Sequence, residues 1–388
     1  MANKKGFCVA PFRNAEFFHS GEVWQCVSGG WNEKERRWVN AWITTGPSGN
    51  VLKGDNFKDI WNGKTAQKLR QSMHDRTLEY CDPNECGFLN RWNKEDIDES
   101  VYDNGYFPIY NDSTFHKLWN AKEINPFGEK KWKEIIDNKL TVLPYGPECV
   151  IFSHDRSCNL KCPSCRTGFI QTKGEERSKS EFIQDQILQY ALDDANELYI
   201  TASGDAFGGS FWRDLLKSLT LERYPNAHSL HIHTNGNGWT RKMWDYLENL
   251  KKLPRITAEI SIDSCSKEVY EEIRLGGNWK RLNNNLHFIF TDIPNLDFVR
   301  LTFVTQDTNY HEMVGFAEMA DYYQKLNGMR TEVNYIHINN WGTYTPEVFK
   351  QKSVANTNHP DHSKFLIELE KLNKYKKNAK NLEIFTNF

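Results

Sequence analysis

The sequence lacks an apolar run long enough to cross a bilayer, which leaves no transmembrane helix to expect. Its first residues, Met-Ala-Asn-Lys-Lys-Gly-Phe-Cys, lack the apolar stretch of a secretory signal, so a cytoplasmic protein is expected. It lacks a charge excess: 49 Lys and Arg stand against 51 Asp and Glu. That balance gives no electrostatic case for nucleic acid as the main partner. No internal repeat and no low-complexity tract are present. With 388 residues the chain exceeds a single small core. Domains run about 100–200 residues, so two or three modules are expected.

Cysteine is plentiful, with nine in the chain. An odd count does not suit a fully paired disulfide framework, and in a reducing compartment clustered cysteines serve more often as metal ligands or reactive thiols. Cys8, Cys26, Cys81 and Cys86 come early. Cys149, Cys158, Cys162 and Cys165 form a central group, and Cys265 stands alone.

Residues 1–90 read as a small irregular α+β domain. Glu22–Cys26 is expected as a strand, and one helix is expected to start at Asp55 or Asn56 and run to about Met73, burying Ile60, Trp61, Leu69 and Met73. Residues 91–147 read as a linker with one helix near Gly128–Asn138. From residue 148 short apolar strands alternate with helical segments. Strands are expected at Cys149–Ser153, Leu198–Ala202, Leu230–Thr234, Ile256–Ile262, Phe298–Val304 and Val333–Ile338. Helices are expected at Glu181–Leu192, Trp212–Leu219, Arg241–Leu250, Lys267–Ile273 and Tyr310–Lys325. Strands separated by helices imply a parallel sheet. Over residues 148–345 the count suits an α/β fold, a partial (β/α)6 TIM-like barrel. Residues 346–388 read as a C-terminal helical tail.

Cys158-Asn-Leu-Lys-Cys162-Pro-Ser-Cys165 directly follows the first strand of the alternating region. Three thiolates at this spacing suit one metal centre. Thiolate chemistry alone leaves both an iron–sulfur cluster and zinc open, with His154 available as a fourth zinc ligand. Three more motifs fall in order at expected strand ends: Ala202-Ser203-Gly204-Asp205, Thr234-Asn235-Gly236 and Ser261-Ile262-Asp263, the last followed by Arg274 in Tyr270-Glu-Glu-Ile-Arg-Leu-Gly-Gly. With C-x3-C-x2-C, this set resembles the radical S-adenosylmethionine (SAM) superfamily, and the block around Arg274 resembles its peptide-modifying branch. Two departures stand out. Ser-Gly-Asp replaces the family's Gly-Gly-Glu, and Ser164 stands where an aromatic is usual.

The resemblance implies a 4Fe–4S cluster on Cys158, Cys162 and Cys165, with SAM on its open iron. Asp205 and the Ser203–Gly204 backbone would hold the methionine ammonium. Ser261 and Arg274 would meet its carboxylate or the ribose, Asn235 the ribose or the loop, and Val304 and Thr305 the adenine. SAM would be cleaved reductively to a 5′-deoxyadenosyl radical that abstracts hydrogen from a peptide or a small-molecule substrate. A flavodoxin or ferredoxin-type electron donor is implied.

At the N-terminal end, Cys8, Gly21 and Cys26 form C-x12-G-x4-C. This spacing resembles the opening of the SPASM and twitch modules of radical SAM enzymes, which usually follow the barrel. Cys81 and Cys86 would complete four ligands for an auxiliary 4Fe–4S cluster used in electron transfer. Four thiolates also suit structural zinc, and a non-catalytic zinc-binding scaffold is the competing class. His231, His233, Cys265 and Tyr335 are weaker candidates for acid–base or hydrogen-donor roles. Each also fits an ordinary packed position.

Overall fold

The computed structural model describes residues 7–26, 30–32, 37–39, 45–81, 109–110, 129–201, 203–379 and 382–388. Two compact units are present, Met1–His154 with Ser178–Ala195, and Asp155–Arg177 with Asn196–Phe388.

In the first unit, strand β1 (Asn14–Phe18) pairs antiparallel with β2 (Glu22–Trp24), and β2 pairs antiparallel with β3 (Gly49–Asn50). Gly21 makes the β1–β2 turn possible. Its φ is +81°, and a Cβ there would lie 2.6 Å from Asn50 Oδ1 and from Leu52 Cγ. Only glycine takes that conformation and that contact at no cost. The helix expected from Asn56 onward forms as two: α1 (Phe57–Trp61) and α2 (Lys64–His74). Asn56 caps α1, accepting the Lys58 N–H at 2.8 Å. The break falls at Asn62, whose side-chain oxygen accepts the Leu143 N–H at 2.8 Å and Arg70 Nη1 at 3.0 Å. The expected stripe of Ile60, Trp61, Leu69 and Met73 is buried across both helices. Helix α3 (Glu129–Asp137) lies where the linker helix is expected.

Strand β4 (Cys149–Ser153) has the bounds read from sequence. It runs parallel to β1 inside the first unit. Every residue of β4 is buried, and Ser153 Oγ donates to Glu16 Oε1 of β1 at 2.7 Å. Helix α4 (Gly174–Tyr190) belongs to the first unit from Ser178 onward.

The second unit carries a parallel sheet in the order β5 (Glu197–Ile200), β6 (Ser229–Thr234), β7 (Arg255–Ser261), β8 (Leu296–Thr305), β9 (Arg330–His337) and β10 (Glu383–Asn387). Between the strands run α5 (Ser210–Ser218), α6 (Arg241–Tyr246), α7 (Lys267–Ile273), α8 (Trp279–Asp292), α9 (Met313–Asn327) and α10 (His362–Asn378). Residues 346–388, expected as a helical tail, also supply β10, which extends the sheet beside β9. Helix α8 is absent from the sequence reading because Asn283-Asn284-Asn285 has low helix propensity. Its stripe of Leu282, Leu286, Ile289 and Phe290 is buried nonetheless.

The two sheet faces differ sharply. Leu230, Ile232, Ile256, Ala258, Ile260, Val299, Leu301, Phe303 and Val333 are buried on one face. Each large aliphatic there contributes roughly 1.5–3 kcal/mol of burial. The other face carries the polar residues His231, His233, Glu259, Ser261, Arg300, Thr302 and Asn334, with Phe298, Val304 and Ile336 among them. Such alternation differs from the continuous apolar runs of a parallel sheet covered on both faces.

Candidate functional site

The central cysteines lie on a loop clasped at its base. Asp155 Oδ1 accepts the Ser157 N–H at 2.8 Å, and Oδ2 accepts the Thr172 hydroxyl at 2.5 Å. Cys158 bridges to Ile170, donating its N–H to the Ile170 carbonyl at 2.9 Å. Within the loop the N–H groups of Cys165 and Arg166 both return to the Cys162 carbonyl, at 2.9 and 3.0 Å. Lys161 N–H donates to the Leu275 carbonyl at 3.0 Å, which fastens the loop beside Arg274.

The clasp brings the three thiols together around Leu160. Cys158 and Cys162 are buried, and Cys165 is half-buried. Burial pushes the Cys158 thiol up to about 12, and burial raises Cys162 as well. Cys158 Sγ accepts the Leu160 N–H at 3.4 Å and Asn235 Nδ2 at 3.9 Å. Cys162 Sγ accepts Arg274 Nη1 at 3.8 Å, and Cys165 Sγ accepts Arg166 Nη2 at 3.3 Å. Among the described residues, no three His, Cys, Asp or Glu side chains are disposed to hold one metal ion. A cluster asks for something different, because each of its irons takes its own thiolate. Sulfurs ringed by N–H donors and two guanidiniums fit a group that keeps thiolates anionic.

The other expected cofactor contacts surround this loop. Asp205 is fully buried, and its carboxylate accepts three donors of the chain itself. These are Phe207 N–H at 2.9 Å, Asn235 N–H at 2.6 Å and the Thr234 hydroxyl at 3.0 Å. Burial raises its pKa against those donors. Ser203 Oγ donates to the Asp155 carbonyl at 3.3 Å, and Gly204 N–H donates to Thr201 Oγ1 at 2.9 Å. A Cβ at Gly204 would meet the Ser157 carbonyl at 2.7 Å, so glycine lets the β5 loop lie on the thiol loop. Asn235 Nδ2 also donates to Asn159 Oδ1 at 2.7 Å. Arg274 pairs with Asp263 at 2.6 Å, and its Nε is buried without a partner. Asp263 Oδ1 in turn accepts the Val304 N–H at 2.8 Å. Thr305 Oγ1 is likewise buried without a partner. Ser261 Oγ lies 3.1 Å from His233 Nε2.

The weaker candidates separate by environment. His231 is buried, stacks on Tyr199 with ring centroids 4.2 Å apart, and lies 2.8 Å from Thr257 Oγ1 through Nδ1. Burial pushes its pKa down to about 3. Tyr335 is buried among Phe303 and Phe316, and its hydroxyl donates to the Met313 carbonyl at 2.6 Å. Cys265 sits in a loop gripped by Glu312, which accepts the Cys265 N–H at 2.9 Å, the Ser264 hydroxyl at 2.5 Å and the Ser266 hydroxyl. Burial and that carboxylate push its thiol up to about 12. His233 reaches an expected cofactor contact, Ser261.

Three residues that the sequence reading gave no role take part: Asp155 as clasp, Arg166 as sulfur donor and Asp263 as the partner of Arg274. The sequence signals were modest. Arg166 directly follows the third cysteine, and Asp263 closes the Ser-Ile-Asp motif.

In the first unit Cys8 is buried at the end of strand Phe7–Cys8, and Cys26 and Cys81 are half-buried. Cys86 lies outside the described residues. Residues 8–87 match the family model of SPASM, an iron–sulfur cluster-binding domain. The N-terminal segment therefore matches an iron–sulfur module, as the cysteine spacing led one to expect. No curated protein matches the chain. Among solved structures the chain is similar to Streptococcus suis SuiB bound to S-adenosylmethionine, with 14% identity, 83% of this chain and 66% of that chain covered, and a TM-score of 0.43. For SuiB bound to precursor peptide SuiA the values are 14%, 99%, 72% and 0.42. For TYW1 with a lysine-pyruvate adduct they are 16%, 58%, 73% and 0.35. The chain spans 66% and 64% of the length of the first two SuiB structures it matches.

Proposed function

We propose that the chain is a radical SAM enzyme with a partial (β/α)6 barrel over residues 148–345 and an N-terminal auxiliary cluster module over residues 1–90. One observation carries the barrel half: three clasped thiols meet at one place, and every sulfur faces N–H donors from the chain. The SPASM match over residues 8–87 supports the auxiliary half, with Cys8, Cys26, Cys81 and Cys86 as its ligands.

Cys158, Cys162 and Cys165 would hold a 4Fe–4S cluster, and the chemistry supplied there would be one-electron reductive cleavage of SAM to a 5′-deoxyadenosyl radical. The chain's own residues position and shield. Asp205 locks the β5 and β6 loops together under the site, so the methionine ammonium is left to backbone around Ser203 and Gly204. Arg274 keeps its buried Nε for a carboxylate, a geometry guanidinium suits. Thr305 Oγ1 is the unpaired polar atom at the end of β8, where the adenine is expected. His233 and Ser261 lie on the polar sheet face, where a substrate would lie, and His233 would move a proton there.

The substrate class is a peptide or peptide-like chain, a reading supported by the resemblance of Tyr270–Gly277 to the peptide-modifying branch. Oxidation, cross-linking and epimerisation all begin with hydrogen abstraction. A flavodoxin or ferredoxin-type protein would supply the electron. Anaerobic incubation of the reduced, iron-loaded chain with SAM tests the proposal by formation of 5′-deoxyadenosine.

A further inference from the structure

The three thiols do not share one environment. Cys165 and Cys162 each accept from a guanidinium, Arg166 at 3.3 Å and Arg274 at 3.8 Å, while Cys158 accepts from the neutral Leu160 N–H and Asn235 Nδ2. Both arginines are held from behind. Arg166 Nη1 donates to the Arg156 carbonyl at 3.0 Å, and its Nη2 also reaches the Ser203 carbonyl at 3.4 Å. Arg274 is held by Asp263 at 2.6 Å, in a pair whose side chains are 12% and 5% exposed. Water therefore screens these charges weakly. Asp263 holds a φ of +68°, a conformation that asparagine also tolerates.

A hydrogen bond to a ligand sulfur and a nearby cation both favour the more negative oxidation state of an iron–sulfur centre. A nearby anion opposes it. We propose that Arg166 and Arg274 are positioning residues that raise the reduction potential of a cluster on Cys158, Cys162 and Cys165, with Asp263 as the counterweight on Arg274; this rests on the cluster assignment made above. In this charge set the two arginines act in one direction and Asp263 in the other. The couple is a one-electron reduction of the cluster by an external donor, with no bond made or broken.

The test is a potentiometric titration of the full, reconstituted chain followed by electron paramagnetic resonance. A Cys158→Ala/Cys162→Ala/Cys165→Ala chain identifies the signal of any N-terminal cluster, which is then set aside. Arg166→Gln and Arg274→Gln are expected to lower the midpoint. The reduced fraction at the parent midpoint should fall about tenfold in ratio, ~59 mV for a one-electron couple. Asp263→Asn is expected to raise it. Arg166→Lys keeps the charge and should fall between parent and Arg166→Gln. Iron and sulfide per chain should match the parent throughout. If Arg166→Gln fails to hold iron, Arg166→Lys and Asp263→Asn still decide by their opposite signs. Parent-like midpoints with full iron, or shifts of one sign in all variants, would overturn the proposal. A parent chain without a signal dependent on these cysteines would instead sink the cluster assignment, and the proposal with it.

Discussion

Asp205 accepts the Asn235 backbone N–H at 2.6 Å, so one carboxylate ties the loop after β5 to the loop after β6. The same carboxylate holds Phe207 N–H and the Thr234 hydroxyl. All three partners donate, and an amide there would turn a donor against one of them. Asp205→Asn is therefore expected to cost about 1–3 kcal/mol, the range for an unsatisfied buried group. Urea unfolding of the apoprotein measures it. A midpoint equal to the parent's would mean that the carboxylate does not hold the loops.

Gly21 gives a second expectation. With φ at +81° and Cβ contacts of 2.6 Å, Gly21→Ala strains the turn and displaces Asn50 or Leu52. A loss of about 1–3 kcal/mol is expected, combining a left-handed backbone with overpacking. The damage is local to the first unit. Iron bound by the reconstituted chain should fall by the share of the N-terminal cysteines and keep the share of Cys158, Cys162 and Cys165. Loss of both shares together would contradict the assignment of Gly21 to the N-terminal module alone.

His231 sets an acid limit. Its pKa is pushed down to about 3 by burial, so the folded chain holds it neutral where the unfolded chain, near 6.5, takes a proton. The unfolded state binds more protons as pH falls below about 6.5, and stability drops with it, by at most about 1.4 kcal/mol per pH unit from this one group. Above about 6.5 the contribution is complete. Denaturation midpoints of the parent and of His231→Asn between pH 7 and pH 4 check this. The variant should show the shallower decline, and equal slopes would remove His231 from the account.

Much of this was legible in the sequence, and the misses have physical causes. The period-2 and period-3.6 patterns located β2, β4, α7 and the strands β5 to β9 to within a few residues. They could not tell that β4 pairs with Asn14–Phe18, because pairing is a long-range choice between edges. The asparagine run hid α8, and the short Glu383–Asn387 segment hid β10. The three thiols and the Ser203, Asn235 and Ser261 loops were readable as motifs. Their wiring was not: Arg166, Asp263 and Asp155 act through a loop fold that one-dimensional spacing does not encode. Asp205 shows the same limit, since its type suggested a ligand for an ammonium and its surroundings supply three backbone and hydroxyl donors.

The most direct measurement is iron-dependent SAM cleavage. The full chain is reconstituted anaerobically with iron and sulfide, reduced with dithionite and given SAM, beside the Cys158→Ala/Cys162→Ala/Cys165→Ala chain. The account predicts about eight irons per parent chain, four per cluster on the expectation of two 4Fe–4S centres. It predicts 5′-deoxyadenosine from the parent and none from the triple variant. Zinc in place of iron, with no 5′-deoxyadenosine from the parent, would contradict it and leave a zinc-binding scaffold in its place.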